Sequence, residues 1–261
     1  MERLMRGRTF VRALPARYAP TRLHVSPDSQ LKYLLPGERA FDAELLRIVD
    51  LWIRADSIVW DVGANIGVFG FAAASIARSG KVIAIEPDCW LAQLMIQSKM
   101  IPENSQLQIE VLCAAISKSV GVETLQIAMR GRASNSLAVA GGRTNQGGSR
   151  CEFSTVTLTL DWLLEYFAPP TFVKIDVEGA EQLVLEGASR LLSEVHPIIY
   201  VEVGKAQASS VTETLQSFGY QLYDPLDPDL VRPIERCGFN TIAVHPASLG
   251  KHQQRGRKAS A

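Results

Sequence analysis

The segment IVWDVGANIG, residues 58–67, constrains the fold more than any other stretch of the chain. An apolar, β-branched run ends in Asp61, glycine follows at position 63, and Gly67 leads into residues 66–78, which are apolar on nearly every face. A strand, a tight turn and a buried helix in that order form the opening of a βαβ unit. The alternation continues, with strand patterns at residues 57–62, 81–86, 107–112, 171–177, 197–203, 220–223 and 239–245. Ala180, Leu183, Val184, Gly187, Ala188, Leu191 and Leu192 repeat at i, i+3 and i+4, the spacing of an amphipathic helix. Strands alternating with helices build a parallel sheet, so the expected class is α/β, doubly wound and Rossmann-like, with seven strands. The DPLDPD turn at 224–229 leaves no room for a helix between the last two strands, which predicts an antiparallel pair at one edge.

Around this body the chain divides into a basic segment at 1–22, expected to be flexible, an extension at 23–55, the main domain at 56–245 and a basic, disordered tail at 246–261. Pro15, Pro20, Pro27 and Pro36 rule out one long helix before residue 41, and residues 41–53 have helical spacing. The extension is expected over the substrate side. Residues 140–150, AGGRTNQGGSR, read as a mobile loop, either a substrate lid or plain disorder, between strand-like runs at 122–129 and 152–158.

A formal net charge of zero hides an asymmetry. Residues 1–22 carry six arginines against one acid and residues 246–261 four basic residues against none, leaving 17 basic and 26 acidic side chains between them. An acidic body is a poor match for a polyanion, so no nucleic-acid partner is expected. The longest apolar run, residues 69–77, is far short of a bilayer span. The four cysteines show neither CxxC nor Cys/His pairing, which predicts reduced, mostly buried thiols in a cytoplasmic enzyme.

The spacing at 61–67 discriminates between cofactors. A dinucleotide fingerprint places a second glycine where this chain has Asn65, and the Asp61 carboxylate would repel a pyrophosphate. No Gly-Lys-Ser/Thr follows, so a P-loop is excluded. Asp-x-Gly-x-x-x-Gly suits a cationic amino-acid cofactor. Glu86 ends the second strand 25 residues after Asp61, where α/β nucleotide folds place an acid on ribose hydroxyls, and Pro87 fixes the turn after it. Taken separately, Asp61 has a lesser reading as a helix cap and Glu86 as a solvated strand end; their joint spacing favours the cofactor site.

WDVGANIG at 60–67, AIEP at 84–87, LTLDWLL at 158–164, VKIDVEGAE at 173–181, VLEGA at 184–188 and PIIYVEV at 197–203 together resemble the FkbM family of class I S-adenosylmethionine-dependent methyltransferases. The upstream PDSQLKYL and FDAEL are similar to that family's lead-in, whereas Asp88-Cys89-Trp90 departs from its usual sequence after EP. The resemblance implies a sheet of order 3-2-1-4-5-7-6 with the last strand antiparallel. It also implies O-methyl transfer from S-adenosylmethionine to a hydroxyl of a saccharide, glycolipid, polyketide or similar metabolite. Carried over by position, Asp61, Gly63, Ala64, Asn65 and Gly67 would surround the amino-acid end of the cofactor together with Asp176. Glu86 and Pro87 would meet the ribose, and Ala114, Ala115 and Ile116 the adenine.

Asp176, Glu178 and Glu202 are the candidate catalytic residues, as base, acceptor-orienting groups or, for Asp176 and Glu202, ligands of a divalent cation. Strand alternation is expected to put Lys174, Asp176 and Glu178 on one face. His196, His245 and Trp60 read as structural. Two other classes remain open at this level: a nicotinamide-dependent Rossmann oxidoreductase, against which the missing second glycine speaks, and a non-catalytic nucleotide-binding protein.

Overall fold

The computed structural model describes residues 6–129, 131, 132, 135–140 and 148–248. The tail from residue 249 and residues 141–147 of the expected loop lie outside these. The chain opens with a hairpin of β1 (Phe10–Ala13) and β2 (Arg22–Val25). Leu23 and Val25 are buried, and Tyr18 between the strands is 1% exposed, its phenol donating to the Leu46 carbonyl and Asp50. Backbone amides of Arg22 and His24 donate to Asn104 and Ser98. Residues 10–22 of the segment expected to be a flexible basic fringe are therefore held down through their apolar residues, which the count of arginines concealed.

α1 (Ala43–Trp52) starts at Asp42, whose carboxylate accepts from the amides of Glu44 and Leu45. Then come β3 (Ile58–Val62), α2 (Val68–Ile76), β4 (Lys81–Ile85), α3 (Cys89–Lys99) and β5 (Ile109–Leu112), a run of parallel strands. Seven of the nine residues of α2 are buried, as a helix apolar all round requires. A second sheet interrupts the alternation. It consists of β6 (Ala115–Ile116), β7 (Gly121–Ala128), β8 (Ser136–Leu137) and β9 (Ser149–Leu158), in the order β6-β9-β7-β8.

The main sheet resumes with α4 (Leu160–Leu163), β10 (Phe172–Ile175), α5 (Glu181–Glu186), β11 (Ile198–Glu202), α6 (Ala208–Ser217), β12 (Gln221–Tyr223), β13 (Pro233–Ile234) and β14 (Asn240–Val244). Its order is β5-β4-β3-β10-β11-β14-β12-β13. The sheet has eight strands where seven were expected, because the chain after the DPLDPD turn returns to pair with β12. Pro233 fits there because an edge strand need not donate on both sides. β14 runs antiparallel to both β11 and β12.

The helix expected over residues 180–192 also breaks. A Cβ on Gly187 would lie 2.3 Å from the Ser117 carbonyl, and the Gly187 carbonyl accepts from Asp161, so α5 stops there and a separate turn spans Leu191–Val195. Val59 and Trp60 point into different buried clusters, as strand alternation dictates: one holds α1–α3, the other α4–α6. Three of the four thiols, those of Cys89, Cys113 and Cys151, are exposed, contrary to the burial expected of them. Among the described residues no helix is long and apolar enough to cross a membrane.

Candidate active site

A cavity of about 480 Å³ opens at the C-terminal ends of β3, β4, β10 and β11. Three layers enclose it: the strand ends, the second sheet through Leu125, Arg132, Asn135, Ser136 and Leu137, and the N-terminal extension through Gln30, Lys32, Tyr33, Asp42, Glu44 and Leu45. Strand ends offer backbone groups unused by the ladder, which is why open α/β sheets bind ligands there.

At one end the chain turns sharply after β3. Gly63 has φ +75, and a Cβ on it would lie 1.8 Å from the Asp176 carbonyl. Only glycine permits that approach. Asn65 is also left-handed, at φ +54, and its side-chain oxygen accepts from the Ser29 hydroxyl at 2.5 Å and from the Ile66 amide at 2.8 Å. Glu86 bridges two loops, one oxygen accepting from the Asn65 amide at 2.8 Å and the other from the Asp88 amide at 2.9 Å. Burial pushes the Glu86 carboxyl up to about 8, against the opposing pull of those two amides. Pro87, Ala114, Ala115 and Ile116 complete this wall. Ser136 is 4% exposed, and its hydroxyl has no partner among the described residues.

Asp61 and Gly67, expected at the cofactor, stand behind the wall. Asp61 is fully buried and faces Lys174 across the β3–β10 register, with Oδ1 3.1 Å from Nζ. Lys174 also reaches Asp176 Oδ2 at 3.3 Å and donates to the Gly63 carbonyl at 3.1 Å, so its ammonium sits between two carboxylates and a carbonyl. Burial works against the charge on Lys174, but Asp61 and Asp176 overcome it and hold the ammonium above its ordinary pKa. Gly67 caps α2 at φ +85, where a Cβ would meet Phe71 and Met95.

At the other end Asp176, Glu178 and Glu202 all line the cavity. The alternation argument for Asp176 and Glu178 fails in detail. β10 ends at Ile175, and Glu178 sits in a left-handed turn at φ +47, on the exposed rim. That turn is held from behind by Glu181, which accepts from the Gly179 amide at 2.8 Å, and by Gln207, which donates to the Gly179 carbonyl. Burial and then the Asp176 charge push Glu202 up to about 8. Tyr200 donates to Asn240, which donates to Glu44, tying β11, β14 and α1 together. Among the described residues no three His, Cys, Asp or Glu side chains are grouped to hold a metal ion, so Asp176 and Glu202 stand as a pair without a third ligand.

The sequence reading missed Ser29, Gln30, Tyr33, Asp42 and Glu44 from the extension, and Arg132, Asn135 and Ser136 from the second sheet. Asp28 and Asp88 bind the latter group in place. Arg132 pairs with both acids and lies 4.7 Å from the Trp90 ring centroid, Asn135 donates to Asp88, and Arg150 grips Asp28 with two hydrogen bonds of 2.9 Å. Although burial opposes its charge, the two guanidinium groups hold Asp28 below the usual carboxylate range. The only sequence signal for this network is the pairing of isolated acids with the arginines of a glycine-rich stretch.

Comparison with known proteins decides the family. The model of the methyltransferase FkbM domain matches residues 61–222. The chain belongs to the FkbM methyltransferase family. It is an S-adenosylmethionine-dependent methyltransferase. Hexuronic acid methyltransferase AglP of Haloferax volcanii is 24% identical over 176 residues, covering 67% of each chain. Among solved structures, the FkbM methyltransferase of Methylobacillus flagellatus KT matches 76% of this chain and 48% of its own, about half its length, at 16% identity and a TM-score of 0.47. An S-adenosylmethionine-dependent O-methyltransferase of Thermotoga maritima matches 78% of this chain and 65% of its own, at 13% identity and a TM-score of 0.45.

Proposed function

We propose that this FkbM methyltransferase transfers the methyl group to a hydroxyl oxygen of a saccharide, glycolipid, polyketide or similar metabolite. The observation that carries the reading is one cavity with two chemically distinct ends: a glycine turn and Glu86 at one, and Asp176, Glu178 and Glu202 at the other. The residues present fit the donor. Glu86 retains lone pairs for ribose hydroxyls, the turn at Gly63, Ala64 and Asn65 suits the amino-acid end, and Ala114, Ala115 and Ile116 offer an apolar slot for adenine. When bound, S-adenosylmethionine supplies a methyl group on a positively charged sulfur that departs as a neutral thioether.

Glu202 is assigned as the base. Its raised pKa brings it nearer to an alcohol than an ordinary carboxylate, and it takes the hydroxyl proton as the oxygen–carbon bond forms. Asp176, fixed by Lys174, orients the acceptor, and proximity supplies much of the rate. Asp61, buried behind the cavity lining, acts through Lys174. The sugar named for the archaeal relative supports a saccharide acceptor. Isothermal titration with S-adenosylhomocysteine, paired with methyl transfer by Glu202→Gln, tests the reading. Binding retained with turnover down at least a hundredfold is expected; full turnover in that variant removes Glu202 as the base. Binding of NAD with no response to the methyl donor would sink methyl transfer altogether.

A further inference from the structure

The charge of the acceptor can be read from which polar groups at its end of the cavity are already engaged. Asp42, Glu44, Glu178 and Glu202 present carboxylates there, one oxygen of Asp42 being taken by the amides of Glu44 and Leu45. Glu44 spends one oxygen on Asn240 and keeps the other. Lone pairs dominate this wall. Every described cation that lines the cavity already faces a carboxylate. Lys174 is ion-paired with Asp61 and Asp176 and donates to the Gly63 carbonyl. Arg132 is bound by Asp28 and Asp88 at the donor end, and Lys32 lies 3.7 Å from Asp42.

We propose that the acceptor is a hydroxyl-rich molecule, uncharged or amine-bearing around the methylated oxygen, and that carboxylate-bearing acceptors are excluded by the Asp42, Glu44, Glu178 and Glu202 wall. The inference rests on the methyl-transfer reading and narrows its substrate class. A polyol or ammonium group brings the donors that the carboxylates lack. A carboxylate brings further acceptors and a like charge against the deprotonated Glu202 that serves as base, so it is accommodated only where Glu202 keeps its proton and the base is lost. The acceptor named for the archaeal relative is a hexuronic acid, so the two proteins would divide on this point.

The test uses the full chain, S-adenosylmethionine carrying a labelled methyl group, and a glycan, lipid and metabolite extract from cells of the source organism in which this gene is deleted. The labelled product is split by mild alkali, which frees methanol from esters and leaves ethers intact, and is then acid-hydrolysed to its smallest labelled unit for electrophoresis. Alkali-stable label on a unit that migrates as neutral or cationic is expected. Label released as methanol, or retained on an anionic unit, overturns the proposal. Failure of the underlying reading looks different: no fraction takes up label, and S-adenosylhomocysteine does not bind.

Discussion

The two ends of the cavity are built by opposite means. The donor end rests on backbone: a left-handed glycine, amides converging on Glu86, and small residues after β5, all within one βαβαβ run. The acceptor end rests on side chains from α1, β11, the turn after β10 and the extension, which are distant in sequence. Backbone geometry tolerates almost no substitution, whereas a side-chain wall can be rewritten one residue at a time. A shared fold can thus keep its donor while its acceptors diverge.

The hardest way to break that contrast is at Gly63. Gly63→Ala forces a Cβ against the Asp176 carbonyl in a left-handed backbone and is expected to cost about 3 kcal/mol or more, read as a collapse of the thermal unfolding midpoint and loss of S-adenosylhomocysteine binding. Next is Lys174→Met, which strands the buried Asp61 charge. About 3–5 kcal/mol of stability should disappear, and Lys174→Met with Asp61→Leu should recover most of it in chemical denaturation. If the double variant is no better than the single, the ion pair is not what Lys174 contributes.

Above about pH 8, where Glu86 is ionised, Glu86→Gln is expected to weaken S-adenosylhomocysteine binding by about 10- to 100-fold in calorimetry, the range of a charge-assisted hydrogen bond of about 1.5–3 kcal/mol. At the acceptor end, pH gives a gentler probe. Glu202 is raised in the folded protein, so turnover should climb as pH rises towards about 8. Between the ordinary carboxylate range and about 8 the folded state holds the extra proton, so stability should fall as pH rises through that window. Glu202→Gln should flatten the turnover curve and shallow the stability slope, to which Glu86 contributes over the same window. Smallest is Ser29→Ala, which removes an intramolecular hydrogen bond and should lower the unfolding free energy by about 1 kcal/mol in chemical denaturation, with donor affinity falling by no more than about fivefold.

Those effects also separate what the sequence could reveal from what it could not. The strand-turn-helix at 58–67 and Glu86 were legible because their geometry is local, a matter of period and glycine spacing. Asp61 was placed at the right strand end on the wrong side of the wall, because spacing does not say that Lys174, its register partner, would fill the space between. Asp176 and Glu178 were put on one face by extending β10 two residues too far. β13 was missed because two residues carry no period. The extension's contribution had no local signature at all, since Asp42 and Glu44 read as an ordinary helix cap and first turn and reach the cavity only through tertiary packing.

Asp28 draws together segments that synthesis separates widely, for its partners Arg132 and Arg150 lie 104 and 122 residues further on. Closing loops of that size is entropically slow, and contacts across such separations form late. The cavity roof should therefore be the last part of the molecule to assemble. During refolding, helical signal should return before the ability to bind S-adenosylhomocysteine, so that a chain with its sheet complete passes through an interval in which it is folded but not yet an enzyme.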